Sequence, residues 1–390
     1  MNAAPRPGGF EADARAKRLS IVHVVRQFHP NRGGLEDVVA NLAREQIRRG
    51  DAPRVVTLDR LFSDPAARLP ETDALDGIPI RRIPWRGSKR YPLAPAVFRH
   101  LAGADLVHVH AVDFFFDALA LAKPLHRLPL VATTHGGFFH TADFSGLKRL
   151  WFNGPTRATA NLYDAIAACS ESDAAAFRTI APSRTSVVEN GANVAKFAAA
   201  SSAAPVRRVV TLGRFSKNKR IDRLAAAVGL LAKRHAGWRL DIVGQPSDWS
   251  EEEVRRMAQA AGLGEAATIH VGLENVQVAE VMRGASIFAS ASEFEGFGVA
   301  LVEAMSAGLA PVVQPNAAFA GLARRHRDIR LADFADPEAA ADAIEAAHAA
   351  LEADEALRTR LQAEAQGYAW AAVAERYDEV YRDAIARAGR

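Results

Sequence analysis

Between Ser286 and Gln314 the chain reads SIFASASEFEGFGVALVEAMSAGLAPVVQ, and the architecture follows from how that stretch is parsed. SIFAS and APVVQ are short apolar runs of strand length, and VALVEAMSAG between them has the length and alanine content of a helix. The loop EFEGFG, with Gly296 and Gly298, joins the first strand to the helix. A strand, a tight loop, a helix and a second strand make one unit of a parallel sheet, with the loop at the carboxyl end of its strand.

The same unit recurs on either side. RVVTLGR, RLDIVGQ and TIHVG add three strands from Arg208 onward, separated by the helical patterns IDRLAAAVGLLAKRH and SEEEVRRMAQAAG. The first half repeats the theme with SIVHVVR (Ser20 to Arg26), RVVTL (Arg54 to Leu58), LVHVH (Leu106 to His110), LVATTH (Leu130 to His135), AIAAC (Ala165 to Cys169) and SVVENG (Ser186 to Gly191). Continuous apolar strands alternating with helices predict parallel sheets covered on both faces. The chain reads as α/β, with two Rossmann-like doubly wound domains. A flexible arm is expected over residues 1–18, one domain over 19–195 and the second over 196–370. VAKFAAASSAAPVRR, from Val194 to Arg208, is the expected linker. The region from about Pro337 is helical throughout, and residues 371–390 are expected to form a terminal helix packing back on the first domain.

Composition suits this organisation. A chain of 390 residues divides naturally into two cores, and 49% hydrophobic with 24% charged residues is a soluble globular balance. The single cysteine, Cys169, excludes a disulfide scaffold and a cysteine zinc site. The opening MNAAPRPGGFEADARAKR lacks the apolar stretch of a secretory signal, and no apolar run approaches the roughly 18 residues that span a bilayer. A cytoplasmic protein is expected. The net charge of +4 suits an anionic substrate or an anionic membrane face. No nucleic-acid partner is expected.

Ligands of such sheets bind beyond the carboxyl ends of the strands, and the candidate motifs fall there. Glu295 stands in the glycine loop and Glu303 eight positions later in the helix. Glycines let backbone amides approach a ligand, and the helix start carries roughly half a positive charge. Alone, two such glutamates fit a solvated helix start better than a site. In GRFSKNKRIDRL, Arg214 and Lys219 place two cations at a strand-to-helix turn, which suits a diphosphate or an ordinary charged surface. RQFHPNRGGLED carries Gly33 and Gly34 at the first strand-to-helix junction, and VATTHGGFFH ends a strand on His135 before Gly136 and Gly137. Ser170 follows the strand AIAAC, where it serves a ligand or caps the next helix.

The segment from Ser292 to Gly308 resembles the E-x7-E signature of retaining glycosyltransferases with the GT-B fold, in glycosyltransferase family 4. That resemblance implies two facing Rossmann-like domains and a nucleotide-sugar donor in the cleft. It assigns Glu295 to the donor sugar, Glu303 to the ribose, and the backbone amides near Phe297 and Gly298 to the diphosphate. Arg214 and Lys219 match the family's G-R-x-x-x-x-K pattern and become stabilisers of the leaving diphosphate. The Gly33-Gly34 loop approaches the donor phosphate, and His135 contacts the sugar near its reacting carbon. VVENGANVAKF keeps the family's Asn190 and Gly191, with Asn193 where an aspartate is usual. PNAAFAGLA replaces the usual double-glycine loop after APVVQ. His110 and His140 match the family less firmly than His135.

His135, Ser170, Lys219, Glu295 and Glu303 together are most similar to bacterial mannosyltransferases that build acetan- and xanthan-like exopolysaccharides. The resemblance therefore implies GDP-mannose as donor and a lipid-diphosphate-linked saccharide as acceptor, with retention of configuration. A UDP-sugar donor with another acceptor, or a sugar-nucleotide epimerase of the same fold, are the alternatives. No cofactor is implied. With no D-x-D pair at a strand end, and Asp333 and Asp336 read as solvated residues of a helical stretch, transfer is expected to be metal-independent. WRGSKRYP with Arg86, Lys89 and Arg90, a loop bearing Phe114 to Phe116, and KRLWF from Lys148 to Phe152 suit a peripheral contact with an anionic membrane.

Overall fold

The computed structural model describes residues 18–31, 33–135 and 150–389. The arm before Arg18, together with Gly136, Gly137, His140, Lys148 and Arg149, lies outside the described residues.

β-Branched residues at successive positions favour strands buried on both faces, and the first sheet is built from them. Its strands are β1 (Ser20–Val24), β2 (Ala52–Leu58), β3 (Thr72–Leu75) and β4 (Ile78–Ile83). After a separate two-stranded hairpin of β5 (Arg86–Ser88) and β6 (Tyr91–Leu93) come β7 (Leu106–His110), β8 (Leu130–Thr133), β9 (Ala165–Ala168) and β10 (Thr185–Val187). The spatial order is β10-β9-β8-β7-β1-β2-β4-β3, parallel except for the β3–β4 pair. The second sheet holds β11 (Arg208–Leu212), β12 (Arg239–Gly244), β13 (Ala267–Val271), β14 (Ile287–Ser290), β15 (Ala310–Val313) and β16 (Arg330–Leu331). Its order, β13-β12-β11-β14-β15-β16, is the doubly wound one.

This topology fixes where a ligand goes. In each sheet the winding reverses beside the first strand, between β1 and β7 and between β11 and β14, and the crevice opens at the carboxyl ends there. The loops after β1, β7 and β8 face one way across that crevice. Those after β11 and β14 face the other.

Helices Pro337–Ala353 and Leu357–Gln366 stay with the second sheet, where Ile344, Leu351 and Leu361 join its core. Helix Trp370–Ala388 returns to the first. Its Val373, Tyr377, Tyr381 and Ala384 pack with Ile21, Leu106, Val131 and Leu42 in one buried cluster.

Four readings of the sequence need correction. The alanine-serine segment after Val194 is packed rather than loose, since Val194, Phe197 and Ala200 are buried in the second core. Phe114 to Phe116 are not in a loop. They open helix Phe114–Leu121, and Phe115 and Phe116 are wholly buried, so they supply no membrane face. Asp333 and Asp336 precede a helix instead of lying in one, and Asp336 caps helix Pro337–Ala353 by accepting from the Glu338 and Ala339 amides. Finally, β3 and β4 are two strands beyond those expected, joined by Asp76 and Gly77, both at positive φ (49° and 82°), in the tight Asp-Gly turn that announces a hairpin.

Candidate active site

A cavity of about 1640 Å³ runs between the two sheets. From the second sheet it is lined by Arg214, Lys219, Glu295, Phe297, Gly298 and Glu303. From the first it is lined by Gly34 and His135, along with Arg26 and Arg90. Gly33 and Ser170 stand beside it, each next to a lining residue (Gly34 and Cys169). The Ser170 hydroxyl accepts from the Asp173 amide at 3.2 Å, capping helix Glu171–Arg178.

Local geometry explains the charged wall. Gly298 is the N-cap of helix Val299–Ala307 at φ 99°, where a Cβ would stand 2.9 Å from the Phe319 ring. Only glycine meets both conditions without strain. The first turn of this helix therefore points its unpaired N–H groups at the cavity, which Val299 and Ala300 line. Gly213, at φ 149°, leaves room for the Lys219 stem, whose Cε a Cβ there would meet at 2.9 Å. Lys219 Nζ donates to Glu295 Oε1 at 2.6 Å. Asn218 locks the two loops together, donating to the Phe294 carbonyl at 2.8 Å and accepting from the Glu293 amide at 3.0 Å. The Phe297 ring packs on Tyr368 in the core, so this residue offers the cavity its backbone.

Glu303 has a partner the sequence reading passed over. Lys196, inside the expected linker, lies 3.5 Å from it. Burial raises the Glu303 carboxyl above its ordinary value, and Lys196 works against that rise. Lys196 is held at the cavity by the turn at Asn193, whose side-chain oxygen accepts from the Lys196 amide at 3.2 Å. In all, five cations (Arg26, Arg90, Lys196, Arg214, Lys219) face three carboxylates (Asp37, Glu295, Glu303) across the lining, a balance that favours an anionic ligand.

On the opposite wall, beside the cations Arg26 and Arg90, the ends of β7 and β8 present neutral groups. His135 follows β8 at φ 54° and Ala111 follows β7 at φ 77°, left-handed conformations that cost a non-glycine residue roughly 1 kcal/mol or more. Both line the cavity. Burial pushes the His135 imidazole down to about 3, so it is uncharged near neutral pH. Asp113, buried at the start of helix Phe114–Leu121, is pushed up to about 6 by burial, against the pull of Arg26 at 3.6 Å.

Residues 32–196 match the family described as Glycosyltransferase Family 4, and residues 196–367 match Glycosyl transferases group 1. The chain is 44% identical to the GDP-mannose:cellobiosyl-diphosphopolyprenol alpha-mannosyltransferase of Xanthomonas oryzae pv. oryzae, over 94% of this chain and 97% of that one. It is 42% identical to the protein of the same name from Komagataeibacter xylinus, over 95% and 94%. Among solved structures, sucrose-phosphate synthase from Thermosynechococcus elongatus superposes with a TM-score of 0.70 at 19% identity, covering 95% of this chain and 100% of that one. A glycosyltransferase from Rickettsia africae superposes with a TM-score of 0.72 at 16% identity, covering 95% and 99%. The architecture is GT-B.

Proposed function

The chain belongs to glycosyltransferase family 4, and from that premise we propose that it moves mannose from GDP-mannose to a saccharide carried on a lipid diphosphate, with retention at the anomeric carbon. The observation that carries the reading is the lining of a single cavity by Arg214, Lys219, Glu295, Glu303 and His135, in a chain this close to enzymes of that name.

In this reading the diphosphate lies at the N-terminus of helix Val299–Ala307, against Arg214 and Lys219, with Gly33 and Gly34 approaching it from the facing wall. Glu303, steadied by Lys196, accepts from the ribose hydroxyls. Glu295 accepts from the sugar and Lys219 fixes its direction. His135 and the Ser170 turn flank the sugar from the first sheet. As the bond from C1 to the diphosphate oxygen breaks, charge builds on that oxygen between the two cations, where it is stabilised. The acceptor hydroxyl attacks C1 from the same face and gives its proton to the departing diphosphate. GDP and the extended saccharide leave. The cations and the helix dipole do the work a divalent ion does elsewhere.

The acceptor's lipid suits a surface on the first sheet's side of the molecule. Leu150 is 70% exposed and Trp151 is 44% exposed. The Trp151 ring lies 6.3 Å from that of Tyr91 in the β5–β6 hairpin, which also carries the exposed Arg86, Lys89 and Arg90. Apolar side chains beside basic ones dock on anionic lipid.

Incubation with GDP-mannose and a synthetic lipid-diphosphate cellobioside tests the assignment. The expected product is an α-mannosyl trisaccharide, formed equally well with chelator present and on vesicles rich in anionic lipid. Stronger thermal stabilisation by UDP than by GDP sinks the donor assignment, a β-linked product sinks retention, and loss of activity on chelation sinks metal-independence.

A further inference from the structure

Behind His135 a chain of hydrogen bonds runs into the protein. Nε2 of His135 lies 2.9 Å from Nδ1 of His110, and Nε2 of His110 lies 2.9 Å from Nδ1 of His23. Nε2 of His23 meets Oε1 of Gln46 at 2.8 Å, and the Gln46 amide donates to the Tyr381 hydroxyl at 3.1 Å. From Tyr381 the chain continues to Nδ1 of His108 at 2.8 Å. It then passes from Nε2 of His108 to Thr133 at 2.7 Å and on to Tyr377 at 2.9 Å. The members come from β1, β7, β8 and the turn after it, helix Gly34–Arg48 and helix Trp370–Ala388. His23, His108, His110, Gln46 and Thr133 are buried.

His23, His108 and His110 also bring ring nitrogens within 4.8 Å of one another, the arrangement of a three-histidine metal site. Yet all six of their ring nitrogens already have hydrogen-bond partners. A metal ion would have to break the chain to bind, so the geometry favours the chain.

A neutral imidazole carries one N–H, so each link holds one proton and the whole chain points one way. Gln46 sets the direction, because its amide nitrogen faces Tyr381 and its carbonyl faces His23. His23 then donates from Nε2 and accepts at Nδ1 from the Nε2–H of His110. His110 in turn accepts at Nδ1 from the Nε2–H of His135. The ring of His135, at the cavity, is left with an unprotonated Nδ1.

We propose that Gln46, His23 and His110 are positioning residues for glycosyl transfer, holding His135 in its Nε2–H tautomer so that Nδ1 accepts from a hydroxyl of the bound sugar. This rests on the reading that His135 faces the donor sugar. Burial supports it, driving His23 to about 4 and His108 and His110 well below their ordinary value, so no ring in the chain carries a charge that would reverse a link. A histidine held this way is a fixed acceptor and cannot serve as a general acid.

The test is a long-range proton–nitrogen correlation spectrum of the full chain labelled with ¹⁵N-histidine, which reads each ring's tautomer. His135, His110 and His23 are expected all to carry the proton on Nε2, with or without GDP. His110→Leu, which removes the acceptor, is expected to divide the His135 signal between tautomers and to slow turnover about 10- to 100-fold, leaving the donor KM within about threefold. His110→Asn, whose side-chain oxygen falls near the place of Nδ1, should restore most of that turnover. An Nδ1–H His135 in the unsubstituted chain overturns the proposal, as does full turnover in His110→Leu or an Asn variant no better than Leu. The unsubstituted spectrum decides even where a variant does not fold. If the unsubstituted chain transfers no sugar from any nucleotide donor, the proposed function falls and the tautomer result still stands.

Discussion

The two walls of the cleft hold their side chains by opposite means. The wall from the second sheet sets charge against charge, Lys219 on Glu295 at 2.6 Å and Lys196 near Glu303 at 3.5 Å, at the open end of a helix dipole. The wall from the first sheet carries a neutral histidine on strained backbone, backed by further neutral rings. A charged wall suits a diphosphate that arrives with charge and leaves with more. A neutral ring suits a sugar, whose hydroxyls need direction rather than charge. The difference teaches that one cleft can join two kinds of electrostatics.

The sharpest way to break this division is to remove the charge where it should matter most. Lys219→Ala is expected to lower kcat about 10²- to 10³-fold, the usual cost of losing one positioned donor at a developing anion. GDP release under saturating donor measures it, and a loss below tenfold means that the charged wall is not the catalytic one.

The neutral rings make a different prediction, in stability against acid. His135 at about 3 and His23 at about 4 lie below the ordinary 6.5, so these rings stay neutral in the fold where they take up protons on unfolding. A depressed histidine pKa costs nothing above 6.5. It destabilises the fold progressively as pH falls from 6.5 toward 4, by about 1.4 kcal/mol per pH unit for each such ring. His110 is likewise pushed well below its ordinary value by burial, so His110→Asn should flatten the fall of unfolding free energy with acid, as measured by urea midpoints between pH 6.5 and 4. An unchanged slope would mean that His110 takes up its proton as readily in the fold as in the unfolded chain, and the ring would not be held neutral.

The smallest effect concerns ground-state binding. Glu303→Gln is expected to raise the donor KM about tenfold with kcat near that of the unsubstituted chain, because a ribose contact is made equally before and during transfer. Since burial raises the Glu303 carboxyl above its ordinary value, donor affinity in the unsubstituted chain should weaken as pH falls through its raised titration range. The Gln variant should not show this trend. A fall in kcat instead would move Glu303 to the reacting centre.

The comparison also marks what the sequence could tell. The charged wall is legible because its residues cluster in two short stretches: Glu295, Gly298 and Glu303 share one loop and helix, and Arg214 and Lys219 share another. Chemistry written at fixed spacing survives as a pattern. Lys196 escaped notice because it stands in an alanine-rich segment, and only folding brings it to Glu303. The opposite wall is harder still. His23, Gln46, His110 and His135 belong to four separate segments, and each looks like an ordinary apolar strand or helix on its own. Ser170 illustrates the remaining ambiguity, since the position that suits a ligand is also a helix N-cap.

Helix Trp370–Ala388 gives this wall a temporal dimension. Tyr377 and Tyr381 fill the core beneath β1, β7 and β8 and close the hydrogen-bond chain, yet the ribosome makes them after the whole second sheet. The first half therefore emerges with an open flank, and the second sheet can fold while the first is still waiting for its last helix. A transcript cut short before Trp370 yields an unfinished first sheet rather than an intact half-enzyme. Synthesis thus withholds the completed first wall of the cleft until the second has been made.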